Sequence, residues 1–136
     1  MGSEHPSKAC ILVVDDEAMI RKLLQRHLER HGFEVLAAED GETALRILAA
    51  EGRRIDLVIL DMVLPRLAGI GVLTELRREL PTLPVLISSG YNREADRAEA
   101  ESHGIQGFIG KPFSLRDLTA MVRATLNESA DSRPQP

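Results

Sequence analysis

Five short apolar runs, each followed by a segment of helical spacing, constrain this 136-residue chain more than any other feature. The runs are Ile11–Val14, Phe33–Ala38, Leu57–Leu60, Val85–Ile87 and the stretch around Gly107–Ile109. They are rich in Val and Ile and apolar at successive positions, which fits strands buried on both faces. Ile20, Leu24, His27 and Leu28 mark the first helix, which stops at His31-Gly32. Ala44, Leu45 and Leu48 mark the second, opened by Asp40-Gly41-Glu42 and closed near Gly52. Val72, Leu73, Leu76 and Leu80 mark the third, ended by Pro81. The fourth, from Asn92 to His103, is mostly charged and alanine-rich, so its hold on a core is weak. The fifth starts after Ser114, an N-cap with Asp117 three residues on, and runs through Leu118, Met121, Val122 and Leu126. Strict strand–helix alternation predicts an α/β fold: one parallel sheet, covered on both faces and joined by right-handed crossovers.

Length and charge narrow the class. One domain is expected over 8–127, between a disordered segment or cloning remnant at 1–7 and a disordered tail at 128–136. With 43% hydrophobic and 28% charged residues the composition is that of a soluble globular chain. A net charge of −4 leaves no footprint for nucleic acid or an anionic membrane, and no apolar run is long enough to span a bilayer. The single Cys10 suits a reducing cytoplasm and, beside the first apolar run, reads as a small buried hydrophobe.

In sheets of this kind ligands sit at the carboxyl ends of the strands. Asp15 and Asp16 follow the first strand and Asp61 ends the third, so three acids share one rim. Asp56 opens the third strand and belongs at the opposite end, as a solvated turn residue. Carboxylates crowded at one rim repel each other, and a divalent cation removes the conflict. Oxygen donors alone favour Mg²⁺ or Mn²⁺ over Zn²⁺. Magnesium keeps waters and accepts phosphate oxygens, so the rim is suited to a phosphoryl group. An Asp-Asp pair by itself more often caps a helix. Two further strand ends outweigh that reading: "ISSG" delivers Ser88 and Ser89, and "GKPF" delivers Lys111, a point charge for carboxylate or phosphate. His27 and His31 stand one turn apart in "HLERH" but match neither HExxH nor HxxEH, and read as structural.

The stretches "VVDDE", "LVILDMVLP", "PVLISSGY" and "GFIGKPF", in this order and at these intervals, resemble the receiver domain of two-component response regulators over about residues 8 to 127. The resemblance implies a flavodoxin-like doubly wound sheet of five strands with five helices, in the order 2-1-3-4-5 that receiver proteins share with flavodoxin. It implies that Asp61 is the phosphoacceptor. Asp16 and Asp61 would bind Mg²⁺ directly, Asp15 largely through water, and the Val63 backbone carbonyl would complete the protein ligands. Ser88 would hold the switch hydroxyl, Lys111 would contact the phosphoryl group and Asp61, and Phe108 would be the aromatic that turns inward with Ser88. Val63 and Gly90 occupy the positions that tune the lifetime of the phosphoryl group. Arg66 and Ala68 depart from the common pattern, which has a glycine and an acidic residue there. The implied partners are a sensor histidine kinase or phosphotransfer domain, and a second copy through the face of the fourth helix, fifth strand and fifth helix. No direct nucleic-acid or membrane contact is expected.

Two rival readings compete. A magnesium-dependent phosphohydrolase usually carries a second acid two residues after its aspartate nucleophile, and here that position is Val63. A degenerate receiver would keep the fold as a binding module without phosphorylation, yet all five functional positions are filled. The expected role is therefore signalling: the chain would catalyse nothing beyond its own phosphorylation and dephosphorylation.

Overall fold

The computed structural model describes residues 8–64, 67–90 and 94–132. The strands are β1 (Cys10–Val14), β2 (Glu34–Ala38), β3 (Leu57–Asp61), β4 (Val85–Ser89) and β5 (Gly107–Gly110). The helices are α1 (Ala18–Arg30), α2 (Gly41–Glu51), α3 (Gly69–Glu79), α4 (Glu94–Ser102) and α5 (Leu115–Ser132). All strand pairs are parallel and the order is β2-β1-β3-β4-β5, as the resemblance implies. Among the described residues no helix is long and apolar enough to cross a membrane.

Period-two alternation along each strand divides the core in two. Ile11, Val13, Leu57, Ile59, Leu86 and Ile109 pack with Leu24 and Leu28 of α1 and Leu118 and Val122 of α5. Leu12, Val14, Val58, Leu60, Val85 and Ile87 pack with Ala44 and Leu48 of α2 and Val72, Leu73 and Leu76 of α3. Both faces of β1, β3 and β4 are thus buried, which is why these strands read as unbroken apolar runs rather than alternating ones. Cys10 is buried with them.

The helix ends follow their chemistry. Asp40 Oδ1 accepts from the Thr43 N–H (2.8 Å) and Ser114 Oγ from the Asp117 N–H (3.0 Å), each satisfying an otherwise unpaired first-turn amide. Gly32, at φ +93°, takes the left-handed turn that releases α1 into β2. His27 is structural: its Nε2 lies 2.7 Å from Thr119 Oγ1, tying α1 to α5.

Two expectations need correction. The polar tail, expected to be disordered from 128, instead carries α5 on to Ser132. Nothing in Glu128–Ser132 breaks a helix, since the segment holds neither glycine nor proline. Asp56 does lie at the opposite end of the sheet from the rim, yet it is not a merely solvated turn residue. Its Oδ2 accepts from the Cys10 N–H at 2.8 Å, and its own N–H donates to the Cys10 carbonyl at 2.7 Å, pinning the start of β1 to β3. The expected segment 1–7, Arg66 and the first residues assigned to the fourth helix lie outside the described residues.

α4 is held unevenly. Ala100 is its buried side chain among those described, and Arg97 lies over the Phe108 ring at 4.5 Å from the centroid. Its C-terminal end is clamped by Arg77 of α3, whose guanidinium donates to four carbonyls: Leu80 (3.2 Å), Leu83 (2.7 Å), His103 (2.6 Å) and Gly104 (2.9 Å). A helix whose described side chains offer one small buried anchor opens at low cost. Amide hydrogen exchange is therefore expected to be faster along α4 than along α1, which buries Leu24 and Leu28. Equal protection of the two helices would contradict this account.

Candidate functional site

The sheet order places the carboxyl ends of β1 and β3 side by side, and those of β4 and β5 next to them. Asp61, 4% exposed, ends β3 opposite Ser88 of β4, which is also buried. Asp15 follows β1 and is buried; Asp16 follows it and is exposed. One ligand oxygen from each of Asp15, Asp16 and Asp61 lies within 4.8 Å of the others, so the three acids do meet. Lys111 directly follows β5 and is joined to Pro112 by a cis peptide. Its Nζ donates to Asp15 Oδ2 at 2.8 Å and to Asp61 Oδ2 at 3.0 Å. Asp61 Oδ1 accepts from the Val63 N–H at 2.9 Å, which turns the chain sharply after the strand.

The electrostatics expose a deficit. Burial pushes the Asp61 carboxyl above its ordinary pKa, outweighing the Val63 N–H and the Lys111 ammonium that act the other way. Burial works against the Lys111 charge too, but the hydrogen bonds it donates to Asp15 and Asp61 prevail and hold its pKa above the ordinary value. The two partners look contradictory until they are counted. One ammonium serves two buried carboxylates, so the cation has more negative charge than it needs and Asp61 less positive charge than it needs. With Asp16, three carboxylates face one ammonium, a net charge of −2 that one divalent ion would balance.

The donors fit such an ion. They are all carboxylate oxygens, the set preferred by Mg²⁺ and Mn²⁺. Asp16, exposed and without a hydrogen-bond partner among the described residues, is the freest of the three. Asp15 and Asp61 are tied alike: in each, Oδ1 accepts from the backbone N–H two residues on, Glu17 or Val63 (both 2.9 Å), while Oδ2 holds Lys111.

The remaining predicted positions surround this cluster. Val63 is 57% exposed at the mouth. Gly90 is exposed, and a Cβ built on it would lie 4.0 Å from the Lys111 Cβ, so a side chain there would reach over the site. Phe108 stands opposite Ile87 in the β4–β5 register, one residue before the Ser88 level, and packs half-buried against the α2–α3 side of the core. Ala68, one of the departures, is the N-cap of α3 and supplies no capping side chain.

Two contributors escape a reading of the sequence. Gly69 approaches the backbone of β3 so closely that a Cβ would lie 2.6 Å from the Asp61 carbonyl oxygen, and its N–H donates to the Met62 carbonyl at 3.2 Å. Any larger residue would displace the loop that carries Asp61. Arg21 of α1 folds back to donate from Nη1 to the Asp15 carbonyl at 2.7 Å. Nothing in the spacing distinguishes it from the other cations on that helix.

Comparison with known proteins points one way. A family model described as the response regulator receiver domain matches residues 11–123. The alkaline phosphatase synthesis transcriptional regulatory protein PhoP of Bacillus subtilis is 42% identical over 124 residues, covering 91% of this chain and 51% of PhoP. The chain spans about half the length of the curated relatives it matches. A response regulator receiver domain protein from Clostridium thermocellum superposes with a TM-score of 0.86 at 32% identity, over 92% of this chain and 99% of that one. A CheY-like receiver domain protein from Methanospirillum hungatei gives 0.90 at 26% identity, over 93% and 100%.

Proposed function

This chain belongs to the response regulator receiver domain family, and from that premise we propose that Asp61 accepts a phosphoryl group from a phosphohistidine donor. The observation that carries the reading is the shared ammonium: Lys111 bridges Asp15 and Asp61 in a cluster left two charges short. In the proposed step an Asp61 carboxylate oxygen attacks the phosphorus in line, forming a P–O bond. The P–N bond to the donor imidazole breaks, and its electron pair leaves on the ring nitrogen. Lys111 stands ready to meet the phosphoryl oxygens while remaining with Asp15. The Val63 N–H keeps Asp61 turned toward the mouth. The Ser88 hydroxyl, one strand over, is the group that would close on the phosphoryl oxygens, with Phe108 following it inward. Asp16, Asp61 and the Val63 carbonyl would hold Mg²⁺ or Mn²⁺, with Asp15 behind water; bound there, the ion offsets charge on the transferring group.

The donor, a sensor histidine kinase or phosphotransfer domain, must reach Asp61 over this mouth. Exposed Met19, Leu23 and Val63 offer it apolar contact. We ascribe to the chain reception of a signal in the cytoplasm and its relay to a protein partner, through the α4–β5–α5 face or a second copy docked there. Direct nucleic-acid contact has no support in the net charge of −4. The test is intact mass after incubation with acetyl phosphate and Mg²⁺. A gain of one phosphoryl group that persists after the donor is removed supports a receiver. No gain supports a phosphorylation-independent binding module, and continuous release of inorganic phosphate supports a phosphohydrolase.

Once formed, the acyl phosphate is expected to be long-lived. Hydrolysis requires an in-line water, and neither Val63 nor Gly90 has a side-chain donor or acceptor to hold one. Acid–base assistance of that kind is worth about 10²–10⁴-fold when well placed. Val63→Asn and Gly90→Glu are each expected to hasten decay in Mg²⁺ after donor removal, by at least about tenfold, an order of magnitude below the low end of that scale because each side chain would be exposed and only loosely placed. Unchanged decay in both variants would mean that a missing water-positioning group does not set the lifetime.

A further inference from the structure

We propose that Arg21 is a positioning residue for the metal site, acting through the peptide that joins Asp15 to Asp16. Asp15 is bonded at every polar group. Its N–H donates to the Ala38 carbonyl (3.1 Å), Oδ1 accepts from the Glu17 N–H (2.9 Å), and Oδ2 accepts from Lys111 (2.8 Å). Its carbonyl accepts from Arg21 Nη1 at 2.7 Å. Asp16 is the opposite case, an exposed carboxylate with no hydrogen-bond partner among the described residues. Its placement is therefore left to its backbone. The Asp15 carbonyl and the Asp16 Cα lie in one rigid peptide plane, so a bond that fixes the first fixes the point from which the Asp16 side chain springs. Arg21 makes that bond from the first turn of α1, and its own N–H donates to the Glu17 carbonyl at 3.0 Å. The two bonds close the Asp15–Arg21 segment on itself. Glu17, the N-cap of α1, makes no side-chain cap bond, so no side chain at that position does this work instead.

The charge of Arg21 makes the inference testable by sign. A guanidinium near a dication site repels the dication, so neutralising Arg21 would by charge alone tighten metal binding. Loss of positioning does the reverse. Groups that orient metal ligands typically cost about 10–100-fold in metal affinity when removed, and a half-exposed one belongs at the low end. The inference rests on the reading of Asp15, Asp16 and Asp61 as a Mg²⁺ site. The experiment is calorimetric titration of Mg²⁺ into the full chain at neutral pH, for the parent, Arg21→Gln and Arg21→Lys, with thermal melts as a check on folding. Arg21→Gln is expected to weaken Mg²⁺ binding about tenfold, and Arg21→Lys, which keeps the charge and one donor, about threefold. Magnesium binding by Arg21→Gln as tight as the parent's, or tighter, overturns the proposal. Should the glutamine variant not fold, equal affinity of the lysine variant and the parent overturns it as well. A parent that binds no Mg²⁺ overturns the metal-site reading itself, and this inference with it.

Discussion

Asp61→Asn is expected to abolish acyl-phosphate formation and, in the same protein, to raise its thermal stability at pH 7 without metal. The first effect follows from chemistry, since a neutral amide oxygen is no nucleophile toward phosphorus. The second follows from the sign of the Asp61 shift. Burial, stronger than the opposing Val63 N–H and Lys111, places the folded-state pKa above the unfolded value. A carboxyl of that kind stabilises the fold fully below its unfolded pKa, and the contribution is lost as pH rises through the folded value. At pH 7 the ionised Asp61 is therefore a liability that the isosteric amide removes. The gain should shrink as the solution is acidified and the parent carboxyl takes up its proton. Intact mass with acetyl phosphate and Mg²⁺ measures the first effect, and melting curves from neutral into acid pH measure the second. Undiminished phosphorylation would place the acceptor elsewhere.

Lys111→Met should have the opposite effect on the fold. It leaves Asp15 and Asp61 facing each other without their shared cation, at a site where the lysine side chain is 17% exposed and the carboxylates are nearly buried. Removing one partner from a buried pair costs about 3–5 kcal/mol, and an open rim that admits water and ions lowers the figure to about 2–4 kcal/mol. Urea denaturation at pH 7 without metal measures that loss. Added Mg²⁺ should restore much of it, because the variant presents three carboxylates with no ammonium competing for them. While the carboxylates are ionised, the parent's advantage is full below the ordinary lysine pKa and disappears as pH rises through the raised Lys111 value; it also shrinks in acid, as Asp61 takes up its proton. Phosphorylation should slow about 10²–10³-fold, as when one preorganised donor to a transition-state oxyanion is lost. A variant as stable as the parent without metal would mean that Lys111 does not neutralise the pair.

The architecture is legible in the sequence because burial on both faces leaves a plain record: β1, β3 and β4 cannot place polar residues without losing their cover. The rim acids are legible because ionisable groups directly after such strands have few structural reasons to be there. What escapes belongs to another kind of interaction. The Asp15–Lys111 pair spans 96 residues, and that one lysine reaches both acids depends on rotamers rather than spacing. The Arg21 bond ends on a carbonyl, and a carbonyl has no side-chain letter to mark it. The same blindness explains Asp56, whose partner is the backbone of Cys10. The continuation of α5 past Asn127 escapes for a different reason. Polar composition there resembles a tail, yet a surface helix needs only residues that do not break it.

The Arg77 clamp makes α4 a lever rather than a sliding rod. One guanidinium holding the His103 and Gly104 carbonyls, and itself anchored on those of Leu80 and Leu83, gives that end a fulcrum, while the other end stands toward the carboxylate rim. At nine residues the helix is about 13 Å long, so a tilt of about 10° around that fulcrum carries its far end about 2 Å. An aromatic ring turning beneath Arg97 would thus be read out as a larger displacement at the surface, with the core beneath the fulcrum left as it was.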